Sequence, residues 1–170
     1  MKKAVNQSIG LILAILLLYA CGTARTAAEK EKLAADIANA VKAPDFTFKA
    51  KHAHPTGYRS VYLSPSYNVK VKPDTVVAYL PYYGRAYRAP MDPREGGYRF
   101  TSTNFEYSVN PGKREGNWEA VIAIRDLDRP VTFRFDIWEN GTGRLDVTDS
   151  DRQGISFQGD IEVPREEELE

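Results

Sequence analysis

The sequence predicts an all-β domain, an antiparallel meander closed into a small β-barrel behind one N-terminal α-helix, with a two-sheet β-sandwich as the alternative. Three observations carry the prediction. From Asp45 onward apolar and polar residues alternate one by one, the period of a strand with one buried and one wet face. Asn-Gly, Pro-Gly and Asp/Ser/Gly clusters punctuate the alternating runs at hairpin spacing. Ten tyrosines stand against two methionines and 11% of residues are aromatic, a bias toward strands over helical bundles.

The chain opens with a targeting pattern. Met1-Lys2-Lys3 is a short positive region, and Ile9 to Ala20 then runs twelve residues without a charge. That run is short of the roughly 20 residues needed to span a hydrocarbon core and fits a secretory signal. Leu18-Tyr19-Ala20-Cys21-Gly22 resembles the lipobox read by the lipoprotein signal peptidase, with Tyr19 departing from the usual small or aliphatic residue. The resemblance implies that Cys21 carries the lipid and becomes the mature N-terminus; an uncleaved anchor or an ordinary cleaved signal is the alternative. Several acyl chains anchor stably where one is marginal. No acidic residue follows in Gly22 to Arg25, which by resemblance to other lipoproteins implies the outer membrane, facing the periplasm. Cys21 is the sole cysteine, so no intramolecular disulfide forms and a lipidated Cys21 leaves no thiol for chemistry.

The expected organisation is a signal peptide over 1–20, an anchor linker over 21–26, a helix over 27–43, the barrel over 44–163 and an acidic tail over 164–170. Removing the first twenty of 170 residues leaves 150, enough to bury roughly 70% of the unfolded surface as one domain. Thr26 and Glu29 have capping-box spacing, and Leu33, Ile37 and Val41 recur every four residues until Ala43-Pro44 stops the helix.

Phe46, Phe48 and Ala50 begin the alternation, followed by Val61 and Leu63, then Tyr67, Val69 and Val71. Thr75 to Leu80 is nearly continuous apolar sequence. Tyr98 and Phe100 follow, then Phe105, Tyr107 and Val109; Trp118, Ala120, Ile122 and Ile124; and Val131, Phe133, Phe135 and Ile137. Leu145 and Val147 precede the last run of Ile155, Phe157, Ile161 and Val163. Turns fall at Asn110-Pro111-Gly112, Glu139 to Gly143 and Asp149 to Gly154. Nine or ten such strands must curl to hide their edges.

In this order the residues resemble a known family. A lipobox, a short helix, Phe46-x-Phe48, the run from Val77 to Tyr87 with Leu80-Pro-Tyr-Tyr-Gly-Arg-Ala-Tyr87 at its centre, and the ending Asp151-Arg-Gln-Gly-Ile-Ser-Phe-Gln-Gly-Asp-Ile161 together are similar to the bacterial envelope lipoproteins with domain of unknown function 4251. The resemblance implies a barrel of lipocalin-like topology and no particular activity.

Chemistry is sparse. The formal charge is zero, and without Lys2 and Lys3 the balance is 21 basic to 23 acidic residues, which argues against nucleic acid as a partner. Tyr82, Tyr83, Arg85, Tyr87 and Arg88 form the densest tyrosine–arginine cluster, a composition suited to binding a ligand or partner; the competing account is a strand corner whose tyrosines pack inward. Gly84 in their midst permits a tight turn. His52 and His54 share one side of a strand but lack the third and fourth ligands zinc requires, so they read as a solvated strand end and no metal is expected. Asp149-x-Asp151 lacks the distal glutamate of a calcium loop. Asp126 and Asp128 alternate with Arg125 and Arg129 as an acidic loop rather than a glycosidase pair. Gly141-x-Gly143 sits in a hairpin, Gly-x-Ser-x-Gly is absent from the sequence, and Asp74-Thr75-Val76 matches a short O-glycosylation triplet.

The expected function is therefore that of a non-enzymatic, lipid-anchored barrel without cofactor, holding a small apolar ligand in its interior. The alternative is an interaction module that docks a periplasmic or outer-membrane partner through the 82–88 stretch. Whether Phe133, Phe135, Phe157 and Trp118 fill the interior decides between a pocket and a packed core.

Overall fold

The computed structural model describes residues 26–88 and 96–164; the signal segment, Cys21 and the tail over 165–170 lie outside them. Contacts divide the chain into two units, residues 1–30 and 31–170. Within the first, the helix α1 (Ala27–Lys42) starts with the capping box. The Thr26 N–H donates to the Glu29 carboxylate at 2.7 Å, and the Glu29 N–H donates to the Thr26 hydroxyl at 3.3 Å. Two donors that the first helical turn would leave without acceptors are thereby satisfied. No helix among the described residues is long and apolar enough to cross a membrane.

The second unit holds one antiparallel sheet of ten strands: β1 (Phe46–Pro55), β2 (Val61–Tyr62), β3 (Asn68–Val71), β4 (Val76–Pro81), β5 (Gly97–Ser102), β6 (Phe105–Pro111), β7 (Asn117–Ile124), β8 (Val131–Trp138), β9 (Thr142–Asp149) and β10 (Arg152–Glu162). Around the sheet the order is β5-β4-β3-β1-β10-β9-β8-β7-β6, with the short β2 beside the far end of β1. This is a meander rolled so that its first and last strands pair. Phe48 sits across from Ile161 and Ala53 across from Phe157, with a bulge between Ala50 and His52. The roll stops short of closure in an unexpected place, between the sequence neighbours β5 and β6, which do not pair. A single rolled sheet replaces the sandwich alternative.

Alternation builds the core directly. Along β8, Val131, Phe133, Phe135 and Ile137 are buried while the residues between them are not. Phe46, Phe48, Phe133, Phe135 and Phe157 are at most 1% exposed. Phe135 meets Phe46, Phe48 and Phe133 edge-on at centroid distances of 5.6, 5.7 and 6.3 Å, the arrangement aromatic quadrupoles favour. Trp118 is half-buried against the same core. The interior is thus occupied by interlocking rings.

Within the same unit, Ile37, Ala40 and Val41 of α1 join the core, and Leu33 lies beside Gly141 in the β8–β9 turn. The Tyr107 hydroxyl donates to the Val41 carbonyl at 2.5 Å, filling one acceptor of the helix C-terminus, and burial pushes its own pKa up.

Candidate functional site

The 82–88 stretch leaves β4 and turns across the barrel to the start of β10. Tyr82 N–H donates to the Gly96 carbonyl at 3.2 Å, and Tyr87 N–H donates to the Asp151 carbonyl at 2.8 Å. Ala86 bridges Arg152, and the Gln153 N–H donates to the Arg85 carbonyl at 2.9 Å. Gly84 has φ +153°, and a Cβ there would stand 2.8 Å from the Tyr82 hydroxyl, so glycine makes the corner.

The five sequence-predicted residues separate into two roles. Tyr82 and Tyr83 pack against the core. The single Tyr82 hydroxyl proton is shared between the Arg85 and Gln153 carbonyls, 2.8 and 3.0 Å from the oxygen, and partial burial raises its pKa. Arg85, Tyr87 and Arg88 face solvent, Tyr87 at 66% exposure, and Arg88 pairs with Asp151 at 3.6 Å. With Thr56, Gly57, Tyr58 and Gln153, Arg85 and Tyr87 border a shallow recess of about 300 Å³.

Beneath this stretch lies a buried charge network that sequence reading missed. The Asp149 side chain is fully buried and accepts from Arg129 Nε at 3.1 Å, with Arg152 Nε 3.9 Å away. Its other oxygen accepts the Asp151 N–H at 2.9 Å, which makes the Asp149-x-Asp151 turn. Arg152 lies over the rings of Tyr82 and Tyr98 at 5.1 and 5.5 Å. Burial drives the Tyr98 pKa well above its ordinary value, and its hydroxyl is buried without a hydrogen-bond partner among the described residues. The signal available in the sequence was a pair of arginines flanking turn aspartates; their burial was not legible.

A groove of about 830 Å³ lies beside β5. Five consecutive residues, Gly96 to Phe100, run along one side and four, Asp126 to Arg129, along the other, with Tyr67, Tyr79, Leu80 and Pro81 completing it. Consecutive lining residues mean that the groove follows the strand's backbone edge rather than one of its faces.

Hydrogen bonding fixes which backbone groups face the free edge of β5. Lys72 and Thr75 exchange bonds across the β3–β4 turn, so Val77 and Tyr79 turn their backbone groups to β3 and Val76, Ala78 and Leu80 to β5. Pro81, with no N–H, then falls at a position that needs none. By register, Tyr98, Phe100 and Ser102 bond to β4, leaving Gly97, Arg99 and Thr101 to face the open edge. The Gly97 carbonyl is taken by Arg152 Nη1 at 3.1 Å.

Asp126 sits at the corner where the chain leaves β5 for β6. Its carboxylate accepts the Ser102 hydroxyl at 2.6 Å and the N–H groups of Thr103 and Asn104 at 3.1 and 3.4 Å. The corner between β5 and β6 is thereby held by a side chain, and the Ser102 hydroxyl keeps the Asp126 pKa below the usual carboxylate range. Asp128 pairs with Arg129 at 3.2 Å. Both aspartates of the acidic loop are therefore held in scaffold contacts.

Along the outer lip, Tyr67 and Tyr79 stack at 5.1 Å, and Arg99 lies over the Tyr79 ring at 4.8 Å while donating to its hydroxyl at 3.2 Å. His52 and His54 stack at 6.3 Å elsewhere, His54 hydrogen-bonded to Ser60 at 2.7 Å. No group of three or more metal-ligating side chains occurs among the described residues.

No curated protein matches the chain. Among solved structures, the crystal structure of a DUF4251 family protein from Bacteroides eggerthii superposes with a TM-score of 0.55, at 13% identity, over 78% of this chain and 88% of that one, a likeness of fold. The model of the domain of unknown function DUF4251 matches residues 28–161, and the chain belongs to that family.

Proposed function

We propose that the chain is a non-catalytic binding protein of the cell envelope, held at the outer membrane by lipid on Cys21, that takes its ligand in the groove beside β5. The observation that carries this reading is the position of the free space. The interior is filled by phenylalanine rings, whereas about 830 Å³ lies open along β5, lipped by Tyr67, Tyr79 and Arg99. Aromatic faces with a directional cation and nearby unpaired main-chain groups are the usual furniture of a binding site. Ionised Asp126, already accepting three hydrogen bonds, makes a poor general acid, which favours binding over hydrolysis.

Two experiments test this. Cys21→Ala moves the protein from the membrane to the soluble periplasmic fraction; a variant that stays membrane-bound contradicts the anchor. Native mass spectrometry of the chain extracted from its own envelope in mild detergent detects a bound species that Arg99→Glu loses. A wild-type protein free of any bound species contradicts the groove reading.

A second reading is favoured by one observation, the exposure of Tyr58 and Tyr87 at 65% and 66% beside Arg85. It makes that recess a docking surface for an envelope protein. Tyr87→Ala with Arg85→Ala then removes the partner without moving the thermal midpoint.

A further inference from the structure

We infer that the occupant of the groove is an extended peptide that adds to the sheet as an extra strand on β5, with an acidic side chain set against Arg99. The inference rests on the reading of the groove as the binding site and names the class of ligand. Arg99 and Thr101 present N–H and C=O groups to the open edge, two residues apart, as a strand ladder requires. Among the described residues nothing accepts from or donates to those four groups, and sheet edges of this kind recruit strands.

The dimensions agree. The five consecutive residues along one side of the groove, Gly96 to Phe100, span about 16 Å at strand rise, the length of a short strand. The Asp126 corner lies at one end of β5 and the Arg152–Gly97 bond at the other.

Side chains set the chemistry of the occupant. A strand on β5 alternates its residues between two faces. One face meets the half-buried Phe100 and Leu127 and takes an apolar residue. The other meets Arg99, which is exposed and whose contacts, the ring and hydroxyl of Tyr79, include no carboxylate. A peptide carboxylate supplies the charge that Arg99 lacks.

The test uses the full-length chain in detergent with a library of short capped peptides, followed by amide exchange on the best binders. Peptides that alternate apolar and acidic residues are expected to bind, to protect the Arg99 and Thr101 amides, and to fail when N-methylated at alternate positions. Thr101→Pro deletes an edge donor that β4 does not use and is expected to weaken binding about tenfold. Should that variant fail to fold, Arg99→Glu is expected to reverse the preference from acidic to basic peptides. The inference is overturned by a library without binders tighter than about 1 mM, or by bound peptides that leave both amides exchanging freely. It is also overturned by a second copy of the chain that protects β5 without peptide. If mass spectrometry instead finds a non-peptide species that Arg99→Glu removes, the peptide inference falls while the groove remains the binding site.

Discussion

The wall built from β6 to β10 with β1 and the quarter built from β3 to β5 wear different outer surfaces. On the wall, charges meet opposite charges: Arg134 with Glu119 and Arg144 with Asp146 at 3.0 Å, Arg125 with Glu106 at 2.8 Å, Lys49 with Glu162 at 3.6 Å, and Lys51 with Asp160. On the quarter, Tyr79 and Arg99 share the outer face with the exposed Lys70, Val77 and Thr101, Tyr67 stacks on Tyr79, and β5 ends the sheet in an edge that no other described strand covers. Exposed ion pairs contribute little stability, about 0–1 kcal/mol each. Their effect here is to leave the wall's charges already answered. The quarter leaves backbone donors, acceptors and ring faces without partners among the described residues, and the binding proposal rests on that difference.

The strongest way to break this comparison is to attack the claim of a filled interior. Phe135→Ala removes the ring that touches Phe46, Phe48 and Phe133, and a loss of about 3–5 kcal/mol is expected from urea unfolding. A loss near zero would mean a loose interior able to hold a ligand. Next in size is Asp149→Ala, which leaves Arg129 and Arg152 facing each other at a buried site and costs about 3 kcal/mol.

Tyrosine hydroxyls sharpen the contrast within the 82–88 stretch. Tyr82→Phe removes the hydroxyl proton shared by two carbonyls and is expected to cost about 1 kcal/mol. Tyr87→Phe, at an exposed ring, falls within about 0.5 kcal/mol of wild type by the same measurement. Equal losses would erase the distinction between the packed and the presented residues.

The smallest effect is on pH. Because the fold holds the Asp126 carboxyl below its ordinary pKa, folding favours the ionised form. The stabilisation is complete above the unfolded carboxylate value and disappears as pH falls through the folded one. Acid titration of the wild type should therefore show a loss that Asp126→Asn lacks, read from the thermal midpoint; parallel titrations would remove Asp126 as the clamp.

Much of the architecture was legible because strand periodicity is local. Phe133, Phe135 and Ile137 declare a buried face through their spacing alone, and the Thr26–Glu29 box declares a helix start. The site was less legible because it depends on contacts distant in sequence. The unpaired corner between β5 and β6 is bonded at Thr103 and Asn104 by the Asp126 carboxylate, more than twenty residues on. Tyr82 and Tyr87 have the same chemistry; Tyr82 is half-buried against Tyr98 and Arg152, and Tyr87 is exposed. Arg99 carried no motif, and the role proposed for it comes from its place on the edge strand β5.

Amide hydrogen exchange along β5 in the unliganded chain reads the free edge most directly. Phe100 and Tyr98, bonded to β4, should exchange slowly, while Arg99 and Thr101 between them exchange at rates close to those of exposed loops. Uniform protection of all four amides would mean that the edge is already covered, and the groove would lose its part in binding.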